Sequence, residues 1–247
     1  NTMLGQINHQ FETLQHIDSQ RRILLADLSH DLRTPLANLQ GYIETLVLKG
    51  DTLSEEDRKR FAETSLRNAN NLNKLIDQIF ELAYLEGGQV TLNREAFPLG
   101  DLLHDVLAKF ALKADEKEIQ MNLSPSQFDY HVFADIGKLE RVLTNLLENA
   151  IRHTPTKGQI NLLVSAGEDK LRVDIRDTGV GINEKEVAFI FDARYQATNT
   201  EKDSHLHAGL GLAICKKLMA LLDSDLTVQS EVGKGTCFSF ELPVMSQ

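Results

Sequence analysis

The chain has 247 residues, long enough for more than one hydrophobic core, and 42% hydrophobic with 25% charged residues is ordinary for a globular protein. Thirty-six acidic side chains against 26 basic ones give a formal charge of −10, which argues against a nucleic-acid partner, because phosphate backbones are met by clustered Lys and Arg. Cys215 and Cys237 form no short-spaced pair with each other or with histidines, so neither a disulfide framework nor a zinc site is indicated and a reducing compartment fits.

In chain order, residues 1 to about 48 read as one long helix: Leu4, Ile7, Phe11, Leu14 and Ile17 keep helical spacing, and Leu25, Leu28, Leu32, Leu36, Leu39, Ile43 and Leu46 continue it. At ~1.5 Å per residue such a helix runs roughly 70 Å and cannot bury its stripe alone. No apolar run approaches the ~18 residues of a membrane span, and there is no signal peptide. The chain opens inside a helical pattern, so membrane contact is expected only through segments outside it. His30 lies two residues from both Leu28 and Leu32, which at about 100° per residue turns its imidazole toward water. Pro35 denies the Asp31 carbonyl its helical donor, so a bend is expected there. On its own, a His-Asp pair of this kind is an ordinary solvated helix face. Lys49-Gly50-Asp51 breaks the pattern, and Ser54 followed by Glu55, Glu56 and Asp57 is an N-cap with acids in the first turn. A second helix is expected to about Glu86, with a stripe at Phe61, Leu66, Ala69, Leu72, Ile76, Ile79 and Ala83. Two helices joined by a short loop make an antiparallel hairpin, half of a four-helix bundle, and stripes that need covering point to a homodimer.

Gly87-Gly88 marks a boundary, and the pattern becomes mixed. Strands are expected at Gln89–Asn93, Ile119–Leu123, Tyr130–Ala134, Ile160–Ser165, Leu171–Arg176, Leu226–Ser230 and Thr236–Leu242, and helices at Leu99–Lys117, Ile136–His153 and Gly209–Leu222. Leu171, Val173 and Ile175 alternate as in a sheet with one covered face. Residues 177 to 208 are polar and aperiodic, the texture of a functional lid rather than of framework. Together these make an α+β sandwich.

Four clusters in this part carry chemistry. Asn145 and Asn149 stand at i and i+4 on one helix face, and amide oxygens suit a hard cation such as Mg²⁺ held jointly with phosphates, although paired Asn are also common facing solvent. Asp177-Thr178-Gly179-Val180-Gly181 follows a strand, where a carboxylate can accept a hydrogen bond and glycines let backbone approach a ligand; its plain alternative is an Asp-Gly turn. Gly209-Leu210-Gly211-Leu212 opens a helix, a place that favours phosphate, though a lone Gly-x-Gly is weak. Gly233-Lys234-Gly235-Thr236 precedes the last strand, and alone would be a hairpin turn.

In this order, the motifs closely resemble the cytoplasmic catalytic core of bacterial sensor histidine kinases of two-component systems. Ser29–Leu36 resembles the H box, Asn145–Thr154 the N box, and Asp177–Gly181, Gly209–Leu212 and Gly233–Thr236 the glycine boxes. The resemblance implies the end of a HAMP-like signalling helix over 1–20, a dimerisation and phosphotransfer domain over 21–86, a hinge over 87–93 and an ATP-binding domain of the GHKL (Bergerat) type over 94–247. It implies that His30 takes the γ-phosphate of ATP as a phosphoramidate and that Asp31 is the base drawing a proton from the ring's far nitrogen. Thr34, one turn on, would orient a water for removing phosphate from the partner. Asn149 and Asn145 would hold Mg²⁺, and Asp177 would take the adenine amino group. Arg152, His153, Gly179, Gly181, Gly209, Leu210, Gly211 and Thr236 would belong to the same nucleotide-binding set, under a lid of residues 183 to 208. The partners implied are a second copy of the chain and the receiver domain of a response regulator, and the location is the cytoplasmic part of an inner-membrane sensor.

The sequence departs from the family pattern at Phe191-Asp192-Ala193-Arg194-Tyr195-Gln196, where an aromatic and a basic position exchange character. His207 stands where another glycine is usual, and His153 where a tyrosine is. His205 and His207 are too few ligands for a metal. Two other readings compete with a kinase. ATPases of the same nucleotide fold, as in type II topoisomerases, mismatch-repair proteins and the heat-shock chaperone, carry a glutamate at the position of Asn145 to activate water, and an amide is not basic enough. A non-catalytic scaffold requires loss of His30 or the amides, and all are present.

Overall fold

The computed structural model describes residues 32–50, 52–88, 90–193, 195 and 209–244. The chain divides into two compact units, Asn1–Asp77 and Gln78–Gln247. In the first, residues 32–49 are helical throughout (α1), Pro35 included. Gly50 turns the chain, and Ser54 caps the next helix: its Oγ accepts from Asp57 N at 3.0 Å. That helix, α2, is Glu55–Glu86 and ends where its stripe predicts, although from Gln78 on it belongs to the second unit. Tyr42 and Phe61 stack with ring centroids 5.8 Å apart, and Arg58 donates to the Gly50 carbonyl at 3.0 Å, closing the hairpin.

Within one chain the expected stripe on α2 is only partly buried: Phe61, Ala69, Leu72, Ile76 and Ile79 are half-buried. Ser65, Asn68, Leu75, Leu82 and Leu85 are buried, whereas Leu66 is 64% exposed and Ala83 is exposed too. Small polar residues, Ser65 and Asn68, occupy part of the inner line.

The second unit contains β1 (Glu95–Pro98), α3 (Leu99–Glu116), β2 (Gln120–Ser124), β3 (His131–Ala134), α4 (Ile136–His153), β4 (Gln159–Ala166), β5 (Lys170–Asp177), the short α5 (Glu184–Val187), α6 (Gly211–Leu221), β6 (Thr227–Glu231) and β7 (Gly235–Pro243). A five-stranded sheet has the order β2-β4-β5-β7-β6, parallel between β2 and β4 and antiparallel elsewhere; β1 and β3 form a separate antiparallel pair. The strand expected at Gln89–Asn93 does not form over 90–93. Asn93 instead gives its N–H to Asp135 Oδ2 at 2.9 Å, and pairing begins two residues later, at Glu95 against Ala134. Asp135 Oδ1 caps α4 by accepting from Lys138 N at 3.0 Å, so one side chain both ends the linker and starts the helix.

The core lies between the sheet and a helical layer in which α4 is flanked by α3 and α6. β5 turns Leu171, Val173 and Ile175 inward, as their alternation predicts, and β4 adds Ile160, Leu162 and Val164. Phe238, Phe240 and Leu242 of β7 and Leu139, Val142, Leu143, Leu146, Leu147 and Ile151 of α4 are all buried. Among the described residues no helix is long and apolar enough to cross a membrane.

Gly235 opens β7 at φ +96°, and a Cβ there would run into the carbonyl oxygen of Asp177. Backbone strain and overpacking act together at such a site. Gly235→Ala is therefore expected to lower stability by about 2 kcal/mol or more, read as a lower denaturant midpoint with an unchanged slope; an unmoved midpoint contradicts the tight approach.

Candidate functional site

The apolar stripe that seats α4 on the sheet also aims its polar residues. Asn145 is 8% exposed, Asn149 one turn on is half-buried, and Arg152 and His153 close the helix, the first exposed and the second half-buried. Partial desolvation lowers the Arg152 pKa, opposed by the neighbouring Glu148 carboxylate. Asn145 Nδ2 is enclosed and has no hydrogen-bond partner among the described residues. Next to it lies Cys215 of α6, whose thiol donates to the Val142 carbonyl at 3.8 Å. Burial pushes the thiol pKa up to about 12, so it stays protonated. Among the described residues no group of three His, Cys, Asp or Glu could cage a metal ion.

At the end of β5, Asp177 is 4% exposed. Its Oδ1 accepts the backbone N–H of Gly179 at 2.8 Å and of Thr236 at 3.2 Å, while Oδ2 accepts no hydrogen bond among the described residues. Burial raises the carboxyl pKa, and the two N–H donors oppose the rise. A Cβ on Gly179 would lie 2.6 Å from Asp177 Oδ1 and 2.7 Å from the His153 carbonyl oxygen, so only glycine lets the loop close this far. Val180 donates to that His153 carbonyl at 3.3 Å, which ties the loop to the C-terminus of α4. Beyond it Gly181 lies against the backbone of Glu231 and Val232. The Ser230 hydroxyl locks the far side: it accepts from Ile182 N at 2.9 Å, donates to the Gly235 carbonyl at 2.9 Å and pairs with Thr236 Oγ1 at 2.8 Å. The structure thus gathers His153, Asp177, Gly179, Gly181 and Thr236 into one backbone cluster.

Gly209, Leu210 and Gly211 stand at the start of α6, with Gly209 at φ +64° and Leu210 buried; among the described residues no hydrogen bond joins them to Asp177. In the segment read as a lid, Phe191 meets Phe238 edge-on at 6.3 Å with Lys216 Nζ 5.0 Å over its ring, and the Tyr195 hydroxyl donates to Glu186 Oε1 at 3.1 Å. Phe191 and Tyr195 are therefore both held locally. Arg194, Gln196, His205 and His207 lie outside the described residues, as do His30 and Asp31. Thr34 is exposed on α1 in the first unit. Sequence reasoning missed Ser230 and Cys215: the first acts through the β6–β7 register and the second through packing of α6 on α4, and neither leaves a local signal.

Two family models match the chain: residues 20–88 match the His Kinase A (phospho-acceptor) domain, and residues 134–246 match the histidine kinase-, DNA gyrase B-, and HSP90-like ATPase. Drug sensory protein A of Synechocystis sp. is 34% identical over 230 residues, covering 89% of this chain and 34% of its own. The chain spans between about a third and two fifths of the length of the curated relatives it matches. Among solved structures, full-length ShkA in complex with AMPPNP aligns with a TM-score of 0.66 at 30% identity, over 90% of this chain and 46% of that one. Histidine kinase ThkA in complex with response regulator protein TrrA aligns with a TM-score of 0.70 at 25% identity, over 90% of this chain and 61% of that one.

Because the native state raises the Asp177 pKa above its unfolded value of 3.8, the folded protein binds more protons than the unfolded chain just above pH 3.8, and stability is lost as pH rises through the folded pKa. Asp177→Asn keeps an acceptor for both N–H groups and cannot ionise. Urea unfolding is expected to show the variant gaining on the parent between pH 3.5 and pH 7; a difference independent of pH contradicts the burial of the charge.

Proposed function

We propose that this chain, which belongs to the sensor histidine kinases and carries their phospho-acceptor and ATPase domains, moves the γ-phosphoryl group of ATP to His30 and then to an aspartate of a response-regulator receiver domain. The observation that carries the nucleotide half is Asp177, a buried carboxylate with one oxygen committed to backbone N–H groups and the other uncommitted, walled by glycines. An acceptor of this kind suits the exocyclic amine of adenine. AMPPNP in ShkA and the regulator TrrA bound to ThkA support the same reading by likeness.

In this proposal Asp177 Oδ2 receives the adenine amino group, and His153, Gly179, Gly181, Gly209, Leu210, Gly211 and Thr236 line the nucleotide. The buried Asn145 and half-buried Asn149 are a donor set that fits Mg²⁺ held jointly with phosphates, there being no group of three His, Cys, Asp or Glu to cage the ion among the described residues, and Arg152 adds a cation on the same helix. The ion, when bound, neutralises charge on the phosphate oxygens. One ring nitrogen of His30 attacks the γ-phosphorus; a P–N bond forms as the bridging P–O bond breaks, ADP leaves with the electron pair, and Asp31 takes the proton of the other nitrogen. Asn145 is an amide and no base, so it does not activate water in competition with the histidine. The phosphoryl group then passes to the receiver carboxylate, and Thr34 orients a water for its later removal.

A homodimer belongs to the same proposal. Leu36, Ile43, Val47, Leu48 and Leu66 of the hairpin are between 47% and 80% exposed, an apolar surface that a second hairpin would cover.

Incubated with labelled ATP and Mg²⁺, the protein is expected to gain acid-labile, base-stable phosphate, and His30→Ala to abolish it; label that survives the substitution overturns the proposal. Thr34→Ala is expected to leave autophosphorylation unchanged and slow loss of phosphate from the regulator several-fold, and equal rates remove Thr34 from that role.

A further inference from the structure

We infer that Lys117 is a positioning residue for the nucleotide site, its ammonium group holding the last turn of α4 against the loop that carries Gly179. The inference rests on the reading above, in which Asp177 receives the adenine amino group. An α-helix leaves its last four carbonyls without intrahelical donors, and in α4 these belong to Ala150, Ile151, Arg152 and His153. The Ala150 carbonyl is met by the Thr154 backbone N–H at 3.0 Å and by its hydroxyl at 2.7 Å. Four residues beyond Ile151 stands Pro155, which has no N–H to offer. The donor comes from the end of α3 instead: Lys117 Nζ donates to the Ile151 carbonyl at 2.9 Å and to the Arg152 carbonyl at 3.1 Å. A cation there also opposes the negative end of the helix dipole.

Lys117 is itself fixed. It is half-buried, its N–H donates to the Ala114 carbonyl at 3.1 Å, and its carbonyl accepts from Lys157 N at 3.2 Å, so the chain that follows α4 is tied to the same residue. The fourth terminal carbonyl, that of His153, accepts from Val180 N at 3.3 Å and lies so near Gly179 that a Cβ there would be 2.7 Å away. Gly179 N in turn donates to Asp177 Oδ1 at 2.8 Å. A series of hydrogen bonds and one close backbone approach thus runs from Lys117 through the end of α4 to the buried carboxylate. Removing the ammonium leaves two adjacent carbonyls without a donor, and the last turn relieves that only by tilting them toward water. The His153 carbonyl moves with the turn, and the clearance at Gly179 is too small for the loop to stay where it is. The orientation that commits Oδ1 to the backbone and leaves Oδ2 to a ligand is therefore set in part by a lysine outside the glycine boxes.

Lys117→Met keeps the aliphatic stem and removes the donors; Lys117→Arg restores donors and charge. ADP and inosine diphosphate differ at the edge of the purine and carry no γ-phosphate. Calorimetry on the full chain is expected to show ADP bound about tenfold more weakly in Lys117→Met and its preference over inosine diphosphate reduced about threefold, with Lys117→Arg near the parent. Without nucleotide, the backbone amide resonances of Gly179 and Val180 are expected to shift in Lys117→Met and to stay near the parent in Lys117→Arg. A general loss of stability weakens both nucleotides alike, so an unchanged preference in Lys117→Met overturns the inference. Unmoved Gly179 and Val180 resonances overturn it as well, and so does a Lys117→Arg variant that behaves like Lys117→Met. If the parent protein itself binds the two diphosphates equally, the adenine reading of Asp177 fails, while the amide resonances still decide whether Lys117 holds the loop. Should Lys117→Met not fold, Lys117→Gln, too short to span both carbonyls, is expected to move both measurements in the same direction.

Discussion

The second unit is organised around a carboxylate that is costly to bury. Asp177 ends β5 with its charge almost sealed from water, and two backbone N–H groups, from Gly179 and Thr236, converge on one of its oxygens. Those donors arrive from different directions along the chain, one from the loop that leaves β5 and one from the start of β7. Both can reach only because β5 and β7 are paired in a register that sets Arg176 opposite Cys237. A one-residue slip would send the Asp177 side chain to the other face and the hydrophobic set of β5 into water, so the register that builds the core also builds the acceptor. The glycines follow from the same constraint: at Gly179, Gly181 and Gly235 backbone comes closer than a Cβ allows.

The helix α4 provides the other half of the site by the same economy. Its buried leucines, valine and isoleucine fix its rotation on the sheet, and that rotation alone settles that Asn145 points inward, Asn149 sits at the margin and Arg152 stands in solvent. Arg141, one turn before Asn145, donates from Nη2 and Nε to Glu81 Oε2 at 2.7 and 3.0 Å, while Lys217 of α6 pairs with Glu86 at 3.4 Å. With Leu82 and Leu85 buried between these pairs in sequence, the end of α2 is built into the second unit rather than trailing from it.

Much of this was legible in the sequence because it is local. The alternation of Leu171, Val173 and Ile175 and the cap at Ser54 each announce their element within a few residues. What escaped depends on contacts between distant segments. The missing strand over 90–93 follows from Asn93 bonding a carboxylate 42 residues away, and β1 forms only because β3 is there to pair with it. On α2, Ser65 and Asn68 fill buried positions that a hydrophobic stripe does not reveal. The chemistry was legible as motif order, and its geometry was not: Asp177 and Thr236 are adjacent through strand pairing, and the Ser230 and Cys215 contacts exist only once β6, β7, α4 and α6 are assembled. His30 and Asp31, in the sequence's most specific stretch, fall outside the described residues, as does the whole segment from 196 to 208.

The central claim is that the free oxygen of Asp177 selects an amine at the edge of a purine. Competition between ATP and inosine triphosphate tests it directly, because the two differ at the position where adenine carries its amino group and hypoxanthine a carbonyl. A carboxylate oxygen facing a carbonyl loses a hydrogen bond and leaves two acceptors opposed, so ATP is predicted to bind at least about tenfold more tightly. Equal affinity for the two nucleotides would contradict the account.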